Sequence, residues 1–187
     1  MAKLIYIANT SLDGYIEDDD GGINWGDPDA DGEYFGSINS LQRGVGTYLY
    51  GRRMYETMVY WETAPVADQP AWVAEFTELW RGAEKIVFST TLAAAWSART
   101  TLAPTFDAES IRKMKADETR DLTVGGADLA AHAFAAGLVD ECHLYFWPIA
   151  LGGGKHALPR QARLDLQLLT VENLHSGIVH LNYRVGT

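Results

Sequence analysis

Residues 122–151 run LTVGGADLAAHAFAAGLVDECHLYFWPIAL, and this stretch decides the fold. Leu122–Val124 has the composition of a strand and stops at Gly125-Gly126. Leu129–Ala136 is alanine-rich, favours a helix and is closed by Gly137. Glu141–Leu151 then reads as a long second strand. Working back toward the amino terminus, strands are expected at Lys3–Ala8, Thr47–Tyr50 and Lys85–Ser89. Helices are expected at Glu33–Gln42, Arg52–Met58, Ala71–Trp80 and Glu109–Ala116. The first of these helices carries Tyr34, Phe35, Ile38 and Leu41 at helical spacing, and the third carries Trp72, Phe76, Leu79 and Trp80 as an apolar stripe. Working forward, Leu164–Leu174 and Ile178–Val185 are strands joined by the Ser176-Gly177 turn. Strands alternate with helices and then finish the chain alone. That order implies one α/β domain over residues 1–187, with a parallel sheet ending in antiparallel edge strands.

Composition sets bounds on function. The chain has 187 residues, of which 47% are hydrophobic and 21% charged, so it can build an ordinary globular core. No apolar run reaches the roughly 18 residues that a membrane helix needs. The start, Met-Ala-Lys followed by a strand-like run, does not resemble a secretion signal. One cysteine, Cys142, excludes an internal disulfide, so a reducing, cytoplasmic setting is expected. The net charge of -10 argues against a general nucleic-acid or anionic-membrane surface. An anionic ligand would need a focused cationic pocket.

Three glycine or hydroxyl sites offer such a pocket. At Tyr50-Gly51-Arg52-Arg53-Met54 a strand ends at a glycine and two arginines open a helix. Helix-start amides and forked guanidinium groups both suit phosphate; pairing of the arginines with the abundant acids is the equal alternative. Phe88-Ser89-Thr90-Thr91 puts hydroxyls at a strand's carboxyl end, where ligands of open α/β sheets settle. Gly125-Gly126-Ala127, leading to Asp128 and Leu129, lets a pyrophosphate approach the backbone at a helix start. Each also reads as a simple turn. Together they suit an extended nucleotide.

Other motifs fail on inspection. Asp27-Pro-Asp29-Ala-Asp31-Gly32 begins like a calcium loop, but Ile38 stands where the bidentate Glu belongs. Gly152-Gly-Gly-Lys155 lacks the leading glycine and trailing Ser/Thr of a phosphate loop. The five histidines and Cys142 show no metal-ligand spacing, so no metal is expected. Lys155 reads as a solvated loop lysine in preference to a ligand for a substrate phosphate.

The motifs, in order, resemble the dihydrofolate reductase superfamily, and within it the reductases similar to the C-terminal domain of the bacterial riboflavin-biosynthesis deaminase-reductase. The stretches that carry the resemblance are Ser11-Leu-Asp-Gly-Tyr-Ile16, Trp25, Tyr50-Gly-Arg-Arg-Met-Tyr-Glu56, Lys85-Ile-Val-Phe-Ser89, Val124-Gly-Gly-Ala127, Gly137-Leu-Val-Asp-Glu141 and Pro148-Ile-Ala-Leu-Gly-Gly-Gly154. They span nearly the whole chain. The resemblance implies a three-layer α/β/α fold, its mixed and mainly parallel sheet having about eight strands. It also implies NADPH bound across the carboxyl edge of that sheet, and a homodimer. Carried over, Arg52 with Thr90 would hold the adenosine 2′-phosphate, and Ser89 would lie near the ribose. Arg53 and Met54 would face the pyrophosphate from the Gly51 side, with Gly125, Gly126, Ala127 and Leu129 opposite. Ala8 and Ile16 would line the nicotinamide pocket, with Trp25 and Phe35 toward the substrate. Asp31, Glu33 or a water would supply the proton; Asp31 also reads as a helix cap and Glu33 as a solvent-facing residue. The expected activity is hydride transfer to a small heterocycle or carbonyl compound, such as a pteridine or pyrimidine. A true dihydrofolate reductase and a non-catalytic NADPH-binding sensor are the alternatives. No basic residue stands out for a folate glutamate tail, and the zinc motif of the deaminase half is absent.

Overall fold

The first strand, β1 (Leu4–Ser11), is buried on both sides, as a central parallel strand must be. The computed structural model of the chain describes residues 1–23, 32–160 and 162–186. After β1 come β2 (Tyr15–Glu17), α1 (Glu33–Gln42), β3 (Val45–Gly51), α2 (Arg52–Met58), α3 (Tyr60–Thr63), α4 (Ala71–Gly82) and β4 (Glu84–Phe88). The second half adds β5 (Thr100–Ala103), α5 (Ala108–Asp117), β6 (Asp121–Gly125), α6 (Ala127–Ala135), β7 (Glu141–Trp147), β8 (Lys155–His156), β9 (Leu166–Asn173) and β10 (Val179–Val185). Eight strands form one sheet in the order β5-β4-β3-β6-β1-β7-β10-β9. Pairing is parallel from β5 through β7 and antiparallel for β10 and β9. The expected mixed sheet with an antiparallel carboxyl-terminal edge is therefore present.

Side-chain alternation along the strands separates two cores. Leu4, Tyr6, Ala8, Leu49, Leu122 and Val124 face α5 and α6, meeting Ile111, Leu129, Ala133 and Phe134. Tyr48, Tyr50, Val87 and Tyr145 face the other way, toward Tyr34 and Ile38 of α1 and Phe76 and Trp80 of α4. Helices thus cover both faces, and burial of these apolar side chains is the main stabilising term. α5 is capped by Asp107, whose carboxylate accepts the Ser110 backbone N–H.

Element ends differ from expectation where pairing or proline decides them. β1 runs on to Ser11 because β7 pairs with it as far as Ser11↔Trp147. β7 stops at Trp147 and not at Leu151, since Pro148 has no N–H for a ladder. From there the chain is drawn to the β1–β2 turn: Leu12 N–H donates to the Ile149 carbonyl at 2.7 Å. β5 escapes a sequence reading because its Thr-Thr-Leu-Ala has no apolar alternation. It pairs only with β4, at the sheet edge.

One polar chain crosses the antiparallel edge. His143 Nδ1 lies 3.0 Å from His180 Nε2, and His180 Nδ1 lies 2.9 Å from Glu172 Oε2. Ser37 of α1 donates to the same carboxylate oxygen and lies 2.9 Å from the Tyr145 hydroxyl. Both histidines are buried; these partners satisfy His143 Nδ1 and both His180 nitrogens, which would be costly to leave alone, while His143 Nε2 makes no hydrogen bond among the described residues.

Candidate functional site

The site lies at the carboxyl ends of the parallel strands, and register brings its pieces together. Tyr50 pairs with Gly125, and Gly51 pairs with Phe88, so the tips of β4, β3 and β6 stand side by side. The three stretches singled out in the sequence therefore share one edge. α6 starts there after Gly126, with no side chain capping its first turn. Its leading N–H groups and positive dipole end are left to an anion.

The two glycines permit close packing. A Cβ on Gly125 would sit 2.8 Å from the Tyr50 ring and 3.1 Å from Met54 Cγ. One on Gly126 would meet Met54 Cβ at 3.4 Å, and φ there is +94°, a conformation that favours glycine. Gly51 faces Leu129 across the same gap: an added Cβ would be 3.8 Å from that side chain's Cβ. Met54 and Leu129 thus meet the glycine pairs from the α2 and α6 sides.

Two open cavities flank α6. The smaller, about 320 Å³, is lined by Arg52, Ser89, Thr90, Leu129, Phe106 and His132, among others. Arg52 Nε pairs with Glu56 at 2.7 Å, and its Nη1 donates to Thr91 Oγ1 at 2.7 Å. Thr91 steers this guanidinium, and Thr90 lines the same cavity. Ser89 Oγ accepts the N–H groups of Thr91 and Leu92, which shapes the loop beneath it. Arg53 is exposed and pairs with no carboxylate among the described residues. Phe106 and His132, whose rings stack at 6.4 Å, were not legible as site residues. His132 lies on an alanine-rich helix, and only the fold brings Phe106 to it.

The larger cavity, about 570 Å³, lies between Glu17–Asp19, the first turn of α6 and residues 154–160. Lys155 spans it, 2.9 Å from Asp128 and 3.4 Å from Glu17. Hydrogen bonding to Asp128 raises its pKa. Lys155 is therefore a paired residue, contrary to the expected solvated lysine. Gly154 is required here: an added Cβ would fall 1.9 Å from the Glu17 carbonyl oxygen.

Asp13 joins two of the sequence landmarks. Its carboxylate accepts from the Ser11 hydroxyl at 2.6 Å and from the N–H groups of Leu151 and Gly152 at 3.0 and 2.7 Å. These bonds, the Ser11 hydroxyl first, hold its pKa down at about 2. Ala8 belongs to the core on the α6 side, and Ile16 packs against that same core.

On the opposite face of β1 a second group converges. Asn9 Oδ1 accepts from the Tyr34 hydroxyl at 2.7 Å and from Trp147 Nε1 at 3.3 Å. Tyr34 and Trp147 also meet edge to face at 5.7 Å. Phe35, expected at the substrate pocket, meets Tyr34 edge to face at 5.6 Å and also packs with Trp61 and Phe76 toward α3 and α4. Glu33 directs its carboxylate to the β9–β10 turn, accepting the His175 N–H and lying 3.4 Å from that imidazole. Trp25 and Asp31 lie outside the described residues. Among the described residues no cluster of three or more His, Cys, Asp or Glu side chains could hold a metal ion. Cys142 is buried, its thiol pushed up to about 12 by desolvation, and is chemically quiet.

Comparison with known proteins points the same way. The sequence profile of the RibD C-terminal domain matches residues 2–180. The chain is 27% identical over 183 residues to the uncharacterised Bacillus subtilis (strain 168) protein YyaP, covering 97% of this chain and 94% of that one. A Shewanella sp. PV-4 structure described as a riboflavin biosynthesis protein superposes with a TM-score of 0.74 at 21% identity, with 100% of each chain covered. The Thermotoga maritima diaminohydroxyphosphoribosylaminopyrimidine deaminase/5-amino-6-(5-phosphoribosylamino)uracil reductase gives 0.67 at 16% identity, covering 99% of this chain and 57% of that one. No described helix is long and apolar enough to cross a membrane.

Proposed function

Because the chain belongs to the RibD C-terminal domain family, we propose that it is an NADPH-dependent reductase acting on a pyrimidine-like heterocycle. The observation that supports this best is the register Tyr50↔Gly125 and Gly51↔Phe88, which sets two arginines beside the uncapped start of α6. The donor set fits the cofactor. Gly126 and Ala127 amides with Arg53 would meet the pyrophosphate. Arg52, steered by Thr91, would meet the 2′-phosphate, and the Phe106–His132 cavity would take the adenosine end.

When bound, reduced nicotinamide supplies the hydride. This chain's own residues bind, orient and exclude water. Ala8 and Ile16 give an apolar wall on the α6 side of β1. Asp13 fixes the loop at residues 151–152 against the β1–β2 turn, so that wall is held in place. The opposite side of the β1 tip, where Asn9 is held by Tyr34 and Trp147, would face the substrate.

Quenching of tryptophan fluorescence by added NADPH tests the cofactor assignment, and no quenching at millimolar NADPH overturns it. Arg52→Ala should weaken NADPH by about 10- to 100-fold, the usual worth of a charge-assisted bond. NADH should change by less than about twofold, because it lacks the phosphate that Arg52 would hold. Binding without oxidation of NADPH by any pyrimidine or pteridine would favour a sensor, and oxidation driven by dihydrofolate would favour a dihydrofolate reductase.

Self-association is proposed at the open edge of the sheet. β9 has one free side there, and its Leu168 and Val171 are 50% and 57% exposed. Paired copies would cover them. Sedimentation showing only a 20.6 kDa species contradicts this.

A further inference from the structure

Asn9 is a lone amide in an apolar strand, placed where β1 reaches the carboxyl edge of the sheet. Its neighbours Ala8 and Thr10 are buried, and Ala8 faces α6. Alternation sends Asn9 to the other face, in register with Tyr145 and under α1. The side chain is nonetheless exposed.

Two donors fix which way the amide points. An indole N–H can only donate, so the atom 3.3 Å from Trp147 Nε1 must be the carbonyl oxygen. The Tyr34 hydroxyl, 2.7 Å from that same oxygen, holds it from a second direction. Turning the amide over would set N–H against N–H at Trp147. The Nδ2 group is thereby aimed away from both rings, and it donates to nothing among the described residues. An oriented, unused pair of donors at the end of a central strand is a recognition element.

We propose that Asn9 orients the substrate, its Nδ2 donating to a ring carbonyl oxygen of a lactam-type heterocycle at the tip of β1. This rests on the reductase function proposed above and narrows its substrate to rings that present an acceptor at that point. A ring with an amino group there would set donor against donor and be rejected. Tyr34 is the positioning residue, because its hydroxyl holds the amide in one orientation.

The test uses two small probes of the same shape, 5,6-diaminouracil and 2,4,5,6-tetraaminopyrimidine, which differ in having carbonyl or amino groups at two ring positions. Dissociation constants are measured by calorimetry on the whole chain saturated with NADP⁺. The native protein should favour the uracil by about tenfold or more, the worth of one well-made hydrogen bond. Asn9→Asp keeps the oxygen that Tyr34 and Trp147 hold but offers an acceptor in place of Nδ2, so the preference should reverse. Tyr34→Phe should move the ratio toward one, since the amide is less firmly oriented. NADPH affinity, read by tryptophan fluorescence in each variant, should stay within about twofold and reports both folding and the cofactor site. If NADPH binds but the probe ratio is the same in the native protein and Asn9→Asp, the assignment to Asn9 is wrong. It is equally wrong if NADPH binds and neither probe does at 10 mM, on the order of the weakest useful affinity. Failure of NADPH itself to bind counts against the reductase function, which separates the two.

Discussion

Asp13 shows how much one side chain can organise. It belongs to the Ser11-Leu-Asp-Gly turn, yet two of its bonds go to amides almost 140 positions away in sequence. The Ser11 hydroxyl and those amides favour the carboxylate, so its pKa in the folded chain lies near 2, below the roughly 3.9 of an unfolded Asp. The stabilisation from this difference is complete above about pH 4 and is lost as pH falls through about 2, because only the unfolded chain gains the proton in between. Asp13→Asn puts an amide N–H against the backbone N–H groups and should loosen residues 149–154 at neutral pH. Hydrogen exchange at Leu151 and Gly152 should quicken in that variant. Unchanged protection there would show that other contacts hold the loop.

At the level of elements, the β6–α6 junction is where packing and binding make the same demand. Gly125 and Gly126 exist because the Tyr50 ring and Met54 close over them, and that closeness is also what leaves the backbone open to a ligand. Tyr50 is buried and stacked on Tyr48 at 5.5 Å, so it has little room to yield. Gly125→Ala should cost about 1–3 kcal/mol of stability, the usual penalty for overpacking. It should also weaken NADPH, because relief requires the strand tips to separate. Denaturant unfolding and the fluorescence titration check the two effects, and a variant as stable as the native chain would mean that Tyr50 moves aside freely.

Across the whole molecule, the antiparallel edge is joined to the parallel centre by buried polar groups. His143 of β7, His180 of β10, Glu172 of β9 and Ser37 of α1 form one hydrogen-bonded chain. Glu141 faces His143 from the far side at 3.5 Å, longer than a good hydrogen bond. Burial, together with the adjacent His180, lowers the His143 pKa. Its folded value lies below the roughly 6.5 of an unfolded histidine, so the unfolded state takes up the proton first and stability falls as pH drops below about 6.5. The melting temperature should therefore decline between pH 7.5 and 5, above the range in which Asp13 titrates. His143→Gln should flatten that decline, and an equal slope in both proteins would assign it to another group.

The sequence alone determined the order of the main helices and strands, with β5 and the short β2, α3 and β8 excepted, and the glycine-rich strand ends. Both are local: α1 and α2 begin and end where their residues predict, because apolar spacing and glycine positions are written along the chain. The convergence of Gly51, Ser89 and Gly125 was foreseeable once a parallel sheet was expected, since such sheets gather their strand ends at one edge. What only the tertiary structure decided were contacts between distant residues. Asn9, Tyr34 and Trp147 look like a strand polar residue and two core aromatics until β1, α1 and β7 bring them within hydrogen-bond reach. The same holds for the Phe106–His132 pair, for Lys155 between Asp128 and Glu17, and for the turn of Glu33 toward His175. Side-chain direction at a strand or helix end depends on what the neighbouring element offers, and no spacing within one segment records it.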